Sequence, residues 1–590
     1  MRRTGVIGRV YAFALLLACA APLHAEKAPA WIEASNAHAK VLVEAMASFS
    51  PEFASSVGYA EYDERVVDLA PRLPERRKAA LEAAKAELER RLAAERDPLV
   101  RQDLELLVDS ARRQIDAVVM EDRYVLPWVE APRVVFGGTQ RVLDKQFPRE
   151  RHLAALKRLE RYAGLAPGST PVAELARARY EEKAGNAQLL APMKAEVEQA
   201  LANTPTYLEG LREAFAAVKV DGAEPALAAL EKQFAAYDAW VRETVLPRAR
   251  TVGGKLPRDY YAYRLRQVGI DIEPEVLIER AQLEFMETRA AMAALAPLVG
   301  KAQGIEATDY REVMRALKAK QLDTAQVEAY YRKVIDRIDA IIARERIVDL
   351  PQRPMIMRLG TPAESAASPA PHFRAAPLVG NTGEQGQFVL PLGNPHDGKS
   401  EAYDDFTFEA AAWTLSAHEG RPGHELQFTS LLERGVSLAR AVLSRNSVNT
   451  EGWALYAEAE MVPYEPIEGQ LIALQFRLMR AARAIIDPSL NLGLMTRERG
   501  RQILTGDVVL SEAMARQELD RYEFRSPGQA GAYFYGYARI LQLRMETEVA
   551  LGEKFDRLAY NNFLLDQGTL PPDLLAKAVR EDFVPKQLSR

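Results

Sequence analysis

Residues 413–427 read W-T-L-S-A-H-E-G-R-P-G-H-E-L-Q, and they set two imidazoles, His418 and His424, beside the carboxylate of Glu419. A further acid, Glu451, follows in T-E-G-W at 450–453. Two neutral imidazoles and a later carboxylate suit a catalytic zinc, because they leave one coordination position open. The familiar helical pattern places its histidines one turn apart on a single face. Here they are six positions apart, an advance of roughly 600° that points the rings away from each other on an unbroken helix. Pro422-Gly423 lies between them. A proline interrupts the hydrogen-bond ladder and a glycine takes backbone angles other residues avoid, so a kink or bulge there can return His424 to the side of His418. Two of the seven histidines of the chain sit in this stretch. The competing reading is plain helix punctuation with no metal.

Three motifs occur in order: H-E-G-R-P-G-H-E-L-Q at 418–427, N-T-E-G-W-A-L-Y-A-E at 449–458 and S-P-G-Q-A-G-A-Y-F-Y-G at 526–536. Together they resemble the bacterial DUF885 family, strongly from about Phe406 to Pro585 and more weakly from Tyr260-Tyr261 through Pro274-Glu275. The resemblance implies a gluzincin-like zinc peptidase in a mostly α, multi-helical, two-lobed fold with a central groove. It implies His418, His424 and Glu451 as zinc ligands and Glu419 as general base. Glu419 then takes a proton from the attacking water and passes it to the leaving amine. Glu425 also follows a histidine but is ranked below Glu419, as a surface group or a support. Glu458, two turns after Glu451, is a candidate to orient a ligand histidine through its free N–H; a simple exposed glutamate is the other reading. Among Tyr533, Tyr535 and Tyr537, Tyr533 best matches the tyrosine with which helical metallopeptidases stabilise an oxyanion, although aromatic clusters also simply pack cores. Gln529, Arg525 and Arg539 are candidates to bind substrate, the arginines by gripping a carboxylate. Many relatives carry a histidine where this chain has Asn491, so no role for that histidine carries over.

At 590 residues the chain exceeds one ordinary core. A hydrophobic share of 48% with 27% charged residues is that of a soluble globular protein. The net charge of −5 gives no reason to expect nucleic acid or an anionic membrane as partner. Arg2, Arg3 and Arg9 precede an apolar run, Val10 to Leu23, that ends in Leu-His-Ala at 23–25. This reads as a signal peptide over residues 1–25, too short for a lasting membrane anchor. The alternative is a lipoprotein box, Leu16-Leu17-Ala18-Cys19, lipidated at Cys19. Either way the protein is exported, to the periplasm or beyond the cell. Cys19 is the only cysteine, so the folded body has no disulfide and any metal is held by His, Asp or Glu. No other segment is long and apolar enough to span a bilayer.

Two regions are expected, 26–350 and 351–590, within one unit. The first is helical almost throughout, from about Ala30 to Asp349. Leu81, Leu88 and Leu92 repeat at helical spacing, and Asp97-Pro98 and Thr170-Pro171 read as capped helix starts. Residues 351–400 are rich in Pro and Gly, with strands expected at Met355–Leu359 and Gln387–Leu390 around a loop at 380–386. They form a small sheet beside the metal helix, whose exposed edge can hold a peptide extended; a plain connecting loop is the other reading. Helices then resume over Phe406–Glu419 and Val448–Glu460, with loops at Pro488 and Pro527-Gly528. The expected activity is cleavage of amide bonds in short peptides. An amidase acting on cell-wall fragments, or a binding protein without chemistry, are alternatives.

Overall fold

The apolar spacing of the first half folds into paired helices. A computed structural model of the chain describes residues 29–251, 255–396 and 399–590; the expected export signal, with Cys19 and Ala25, lies outside them. Helix Leu73–Ala94 runs back along helix Pro98–Tyr124, burying Leu81 and Leu88 against Leu104, Leu107 and Ala111. Leu92 is only partly covered. The Asp97 carboxylate caps the second helix by accepting from the amides of Leu99 (2.9 Å) and Val100 (3.2 Å). Thr170 does not play this part, because the chain is already at Pro171 when helix Val172–Glu181 begins and no side chain caps it.

The sheet holds three strands: β1 (Ile356–Leu359), β2 (His372–Arg374) and β3 (Gln387–Leu390). Their order is β1-β3-β2, with β1 parallel and β2 antiparallel to β3. The two expected strands are β1 and β3; β2 supplies the second edge, so β3 is central and fully buried. A separate hairpin pairs β4 (Gly393–His396) with β5 (Lys399–Ala402). The sheet touches the histidine stretch where Arg421 donates to the Arg353 carbonyl, 2.5 Å away, just ahead of β1.

Most of the core lies in the second half, around Ile338, Phe388, Trp413, Phe476 and Tyr560. A second cluster, around Phe136, Tyr207 and Phe234, belongs to the first half. A third joins the halves by packing Leu42, Leu81 and Leu107 against Leu438, Ala439 and Leu443. Beside it Asp103, fully buried, accepts from Arg440 Nε (2.7 Å), Ser437 (2.5 Å) and Ser35 (2.6 Å). This fixes the segment that leads into Glu451.

Two helix limits differ from expectation. The histidine helix begins at Ala411 rather than Phe406. The preceding carbonyls are engaged across the core, Phe406 by the Tyr331 hydroxyl (2.6 Å) and Thr407 by the Leu322 amide (2.7 Å). Pro488 is not in a loop but in the last turns of helix Ile467–Asn491. Its ring removes one ladder bond, while the Asn491 side-chain Nδ2 donates to the Asp487 carbonyl (2.9 Å) and the Leu492 backbone amide to that of Pro488 (2.9 Å), which closes the end.

Candidate metal centre

The break between the two histidines is complete. One helix, Ala411–Glu419, ends on His418 and Glu419, and a second, His424–Arg434, begins with His424. The intervening turn contains a cis Arg421-Pro422 bond. At Gly423 a Cβ atom would lie 1.9 Å from the His418 carbonyl oxygen, so only glycine lets the second helix start this close to the end of the first. Arg421 and Glu425 lock the turn with a buried ion pair at 2.6 Å, and Thr429 donates to the same carboxylate at 2.8 Å. Glu425 is thus buried and fully engaged, not a surface group and not a free base.

The imidazole rings lie 4.8 Å apart, centre to centre, and nearly perpendicular. Glu451, in the second turn of helix Ser447–Met461, completes the cluster. Its Oε2 atom is 3.6 Å from His418 Nε2 and 3.3 Å from His424 Nε2. One ligand atom from each of the three residues lies within 4.8 Å of the others. Glu451 Oε2 is buried without a hydrogen-bond partner, which a protein interior tolerates poorly unless a cation takes its place. The donor set, two nitrogens and one oxygen without thiolate, fits zinc.

His418 is held from behind. Its Nδ1 lies 2.6 Å from Glu458 Oε1, which leaves Nε2 to face Glu451. Glu458 also accepts from Thr414 (2.9 Å) and from Arg480 (3.1 Å). Burial alone pushes the Glu458 carboxyl up, but the Arg480 charge and the His418 and Thr414 hydrogen bonds more than offset it and hold it below the usual range. Glu419 is treated differently. Burial pushes its carboxyl up to about 7, with His424 opposing and Glu451 adding to the rise. Its Oε1 lies 3.9 Å from His418 Nε2 and its Oε2 has no partner.

Of the three tyrosines, only Tyr533 reaches the cluster. Its ring lies parallel to that of His418 with centres 6.1 Å apart, and its hydroxyl accepts from Arg521 at 3.0 Å. Arg480, Arg483 and Arg521 surround the ring at 5.8, 4.6 and 5.3 Å from its centre. Tyr535 instead bonds Asp271, and Tyr537 packs under Arg477. The Tyr533 helix, Ala532–Leu551, meets the Glu451 helix at Gly452 and Gly536. A Cβ on Gly452 would lie 2.5 Å from the Gly536 carbonyl carbon, and one on Gly536 2.0 Å from the Val448 oxygen. The crossing therefore requires both glycines.

Gln529 accepts from Arg521 and shares a cavity wall with Glu451. Arg525 is not brought to the cluster. One turn beyond Arg521, it donates to Gln199 (2.5 Å) in a different cavity, lined by Trp128 and Tyr260, that contains none of the three ligands. Arg539 pairs with Asp573 near the surface. Asn491 is buried and spends its amide on Asp487 and on the Tyr522 carbonyl (3.0 Å). Sequence reasoning missed Thr414, Arg480, Arg483 and Arg521. The available signals were Thr414 one turn before His418, and three arginines, Arg477, Arg480 and Arg483, each three apart on one helix.

Fold and site together define a class: mostly helical proteins that bury a His-His-Glu cluster at a broken helix, with an acid beside it. The chain belongs to the DUF885 family, described as bacterial proteins of unknown function, which it matches over residues 51–579. None of the curated proteins matches it. Among solved structures, the "putative lipoprotein from Colwellia psychrerythraea" is similar with a TM-score of 0.76 at 19% identity, covering 94% of this chain and 100% of that one. A "putative lipoprotein of unknown function from Shewanella oneidensis" is similar with a TM-score of 0.68 at 18% identity, with the same coverage of both chains. At these identities the likeness speaks for the fold.

Proposed function

We propose that this protein is an exported zinc-dependent hydrolase that cleaves amide bonds of short peptides. The observation that carries the reading is the unpartnered Glu451 Oε2 facing both His Nε2 atoms, with the unpartnered Glu419 Oε2 on the neighbouring residue. His418, His424 and Glu451 would hold the ion. Zinc bound there supplies Lewis acidity, which brings the pKa of a water toward about 7 and polarises a carbonyl.

The remaining work falls to side chains. Glu419 accepts a proton from water as the oxygen attacks the carbonyl carbon, then delivers that proton to the amide nitrogen as the C–N bond breaks. A carboxylate held beside the bound water can make both transfers at neutral pH. The Tyr533 hydroxyl accepts from Arg521, so its own proton is free to donate to the developing oxyanion. Glu458 keeps the His418 tautomer fixed. Export is supported by the N-terminal signal sequence, and no described helix is long and apolar enough to cross a membrane.

Elemental analysis of the purified protein should find one zinc per chain, lost in His424→Ala. Glu419→Gln should keep the zinc and lose hydrolysis of a quenched peptide library by about 10²- to 10⁴-fold. Absence of zinc from the parent, or full activity in Glu419→Gln, would overturn the reading.

A further inference from the structure

A cavity of about 440 Å³ reaches Glu451 and has Thr450 and Gln529 in its wall. Another part of the wall comes from the first half of the chain, through Ser110 and Arg113 on helix Pro98–Tyr124. Among the described residues, Glu451, a metal ligand in the reading above, is the only acid lining the cavity, whereas two arginines line it, Arg113 and Arg445. Arg113 has a carboxylate of its own, Asp109, 3.2 Å from its Nε. Arg445 is exposed to the cavity. Among the described residues it makes no ion pair, and its guanidinium rests over the Phe428 ring, 4.9 Å from the centre. Stacking on an aromatic face holds the planar group in place while leaving its N–H edge free.

The placement follows from the chain. Arg445 directly precedes Asn446, which caps helix Ser447–Met461, and Glu451 lies six positions beyond it on that helix. Arg445 thus lies in the short connection two residues ahead of the helix that carries the ligand. Gln529 adds a donor, because its oxygen accepts from Arg521 and its amide N–H groups remain available. With two arginines against one carboxylate, the described lining carries net positive charge, and its recognition groups are donors. It suits a singly charged planar anion better than a cation or an apolar side chain.

We propose that this cavity is the subsite for the free C-terminal carboxylate of a short peptide, gripped by Arg445, so that cleavage falls close to the C-terminus. The proposal rests on the hydrolase reading for the reaction but not for the binding. The test uses the full-length, zinc-loaded protein and one short fluorogenic peptide made both as the free acid and as the C-terminal amide. Hydrolysis is measured with the parent, and binding by calorimetry with Glu419→Gln.

The acid should be cleaved and bound about 10- to 100-fold better than the amide. Arg445→Gln should bring the ratio to within about twofold of unity, and Arg445→Lys should restore part of it. Zinc content and melting temperature equal to the parent show that the variants are folded. Equal treatment of acid and amide by the parent overturns the proposal, as does an undiminished ratio in Arg445→Gln. Cleavage without preference removes the subsite and leaves the hydrolase. Arg445-dependent binding of the acid without cleavage removes the hydrolase and leaves the subsite. Failure to bind either peptide removes the subsite.

Discussion

Replacing Glu458 by glutamine tests whether the cluster is built for a metal. In the native protein one carboxylate serves three groups, His418 and Arg480 at Oε1 and Thr414 at Oε2. An amide retains only one accepting oxygen. If its NH2 faces His418, Nδ1 must give up its proton, the proton moves to Nε2, and the nitrogen facing Glu451 can no longer ligate. If its oxygen faces His418, the charge that raises the basicity of the imidazole is still gone. Zinc affinity should fall roughly 10- to 100-fold, about 1.4–2.8 kcal/mol. A separate loss should appear without metal. Arg480 has no other carboxylate partner among the described residues, and its Nε and Nη1 atoms are already unpartnered. Stranding that charge should lower the stability of the apo protein by about 3–5 kcal/mol. Competition with a chromophoric chelator near neutral pH reads the first effect and urea unfolding in excess chelator the second. A zinc affinity within about twofold of the parent, alongside reduced apo stability, would refute the orienting role while leaving the ion pair intact.

Gly423→Ala should cost at least about 1–3 kcal/mol and abolish zinc binding, because its methyl would lie 1.9 Å from the His418 carbonyl; elemental analysis and a urea midpoint check both. Asp103→Asn should cost about 3–5 kcal/mol by leaving Arg440 without its buried carboxylate, read as faster proteolysis and a lower urea midpoint. Glu465 is buried with both carboxylate oxygens unpartnered, and burial, aided by Glu458, raises its carboxyl to about 8. The folded protein then holds a proton that the unfolded chain has released above about 4.5, so stability falls as pH rises from about 4.5 to 8, by on the order of 1.4 kcal/mol per pH unit. Glu465→Gln should remove that fall, seen as a variant-minus-parent stability difference that grows toward pH 8.

The motifs exposed the His-His-Glu cluster because its residues are few, rare in type and tied to glycines. His418, His424 and Glu451 meet, and Glu458 and Tyr533 stand beside them. What stayed hidden depends on long-range packing. Nothing near Arg525 distinguishes it from Arg521 one turn earlier, yet only the latter faces Tyr533. The turn after His418 needed its own ion pair, so Glu425, which reads as a polar position, is buried on Arg421. Strand β2 is three residues long and pairs only with β3, too short to show alternation. Pro488 reads as a helix stop by local rule, but burial on a long apolar helix overrode it.

The meeting of Gly452 with Gly536 fixes how far Glu451 stands from Tyr533 by main chain alone. No side chain sits between the two helices at their closest point, where backbone meets backbone. A side chain at either position, one residue from the acid and three from the phenol, would push the helices apart and carry the carboxylate away from the ring.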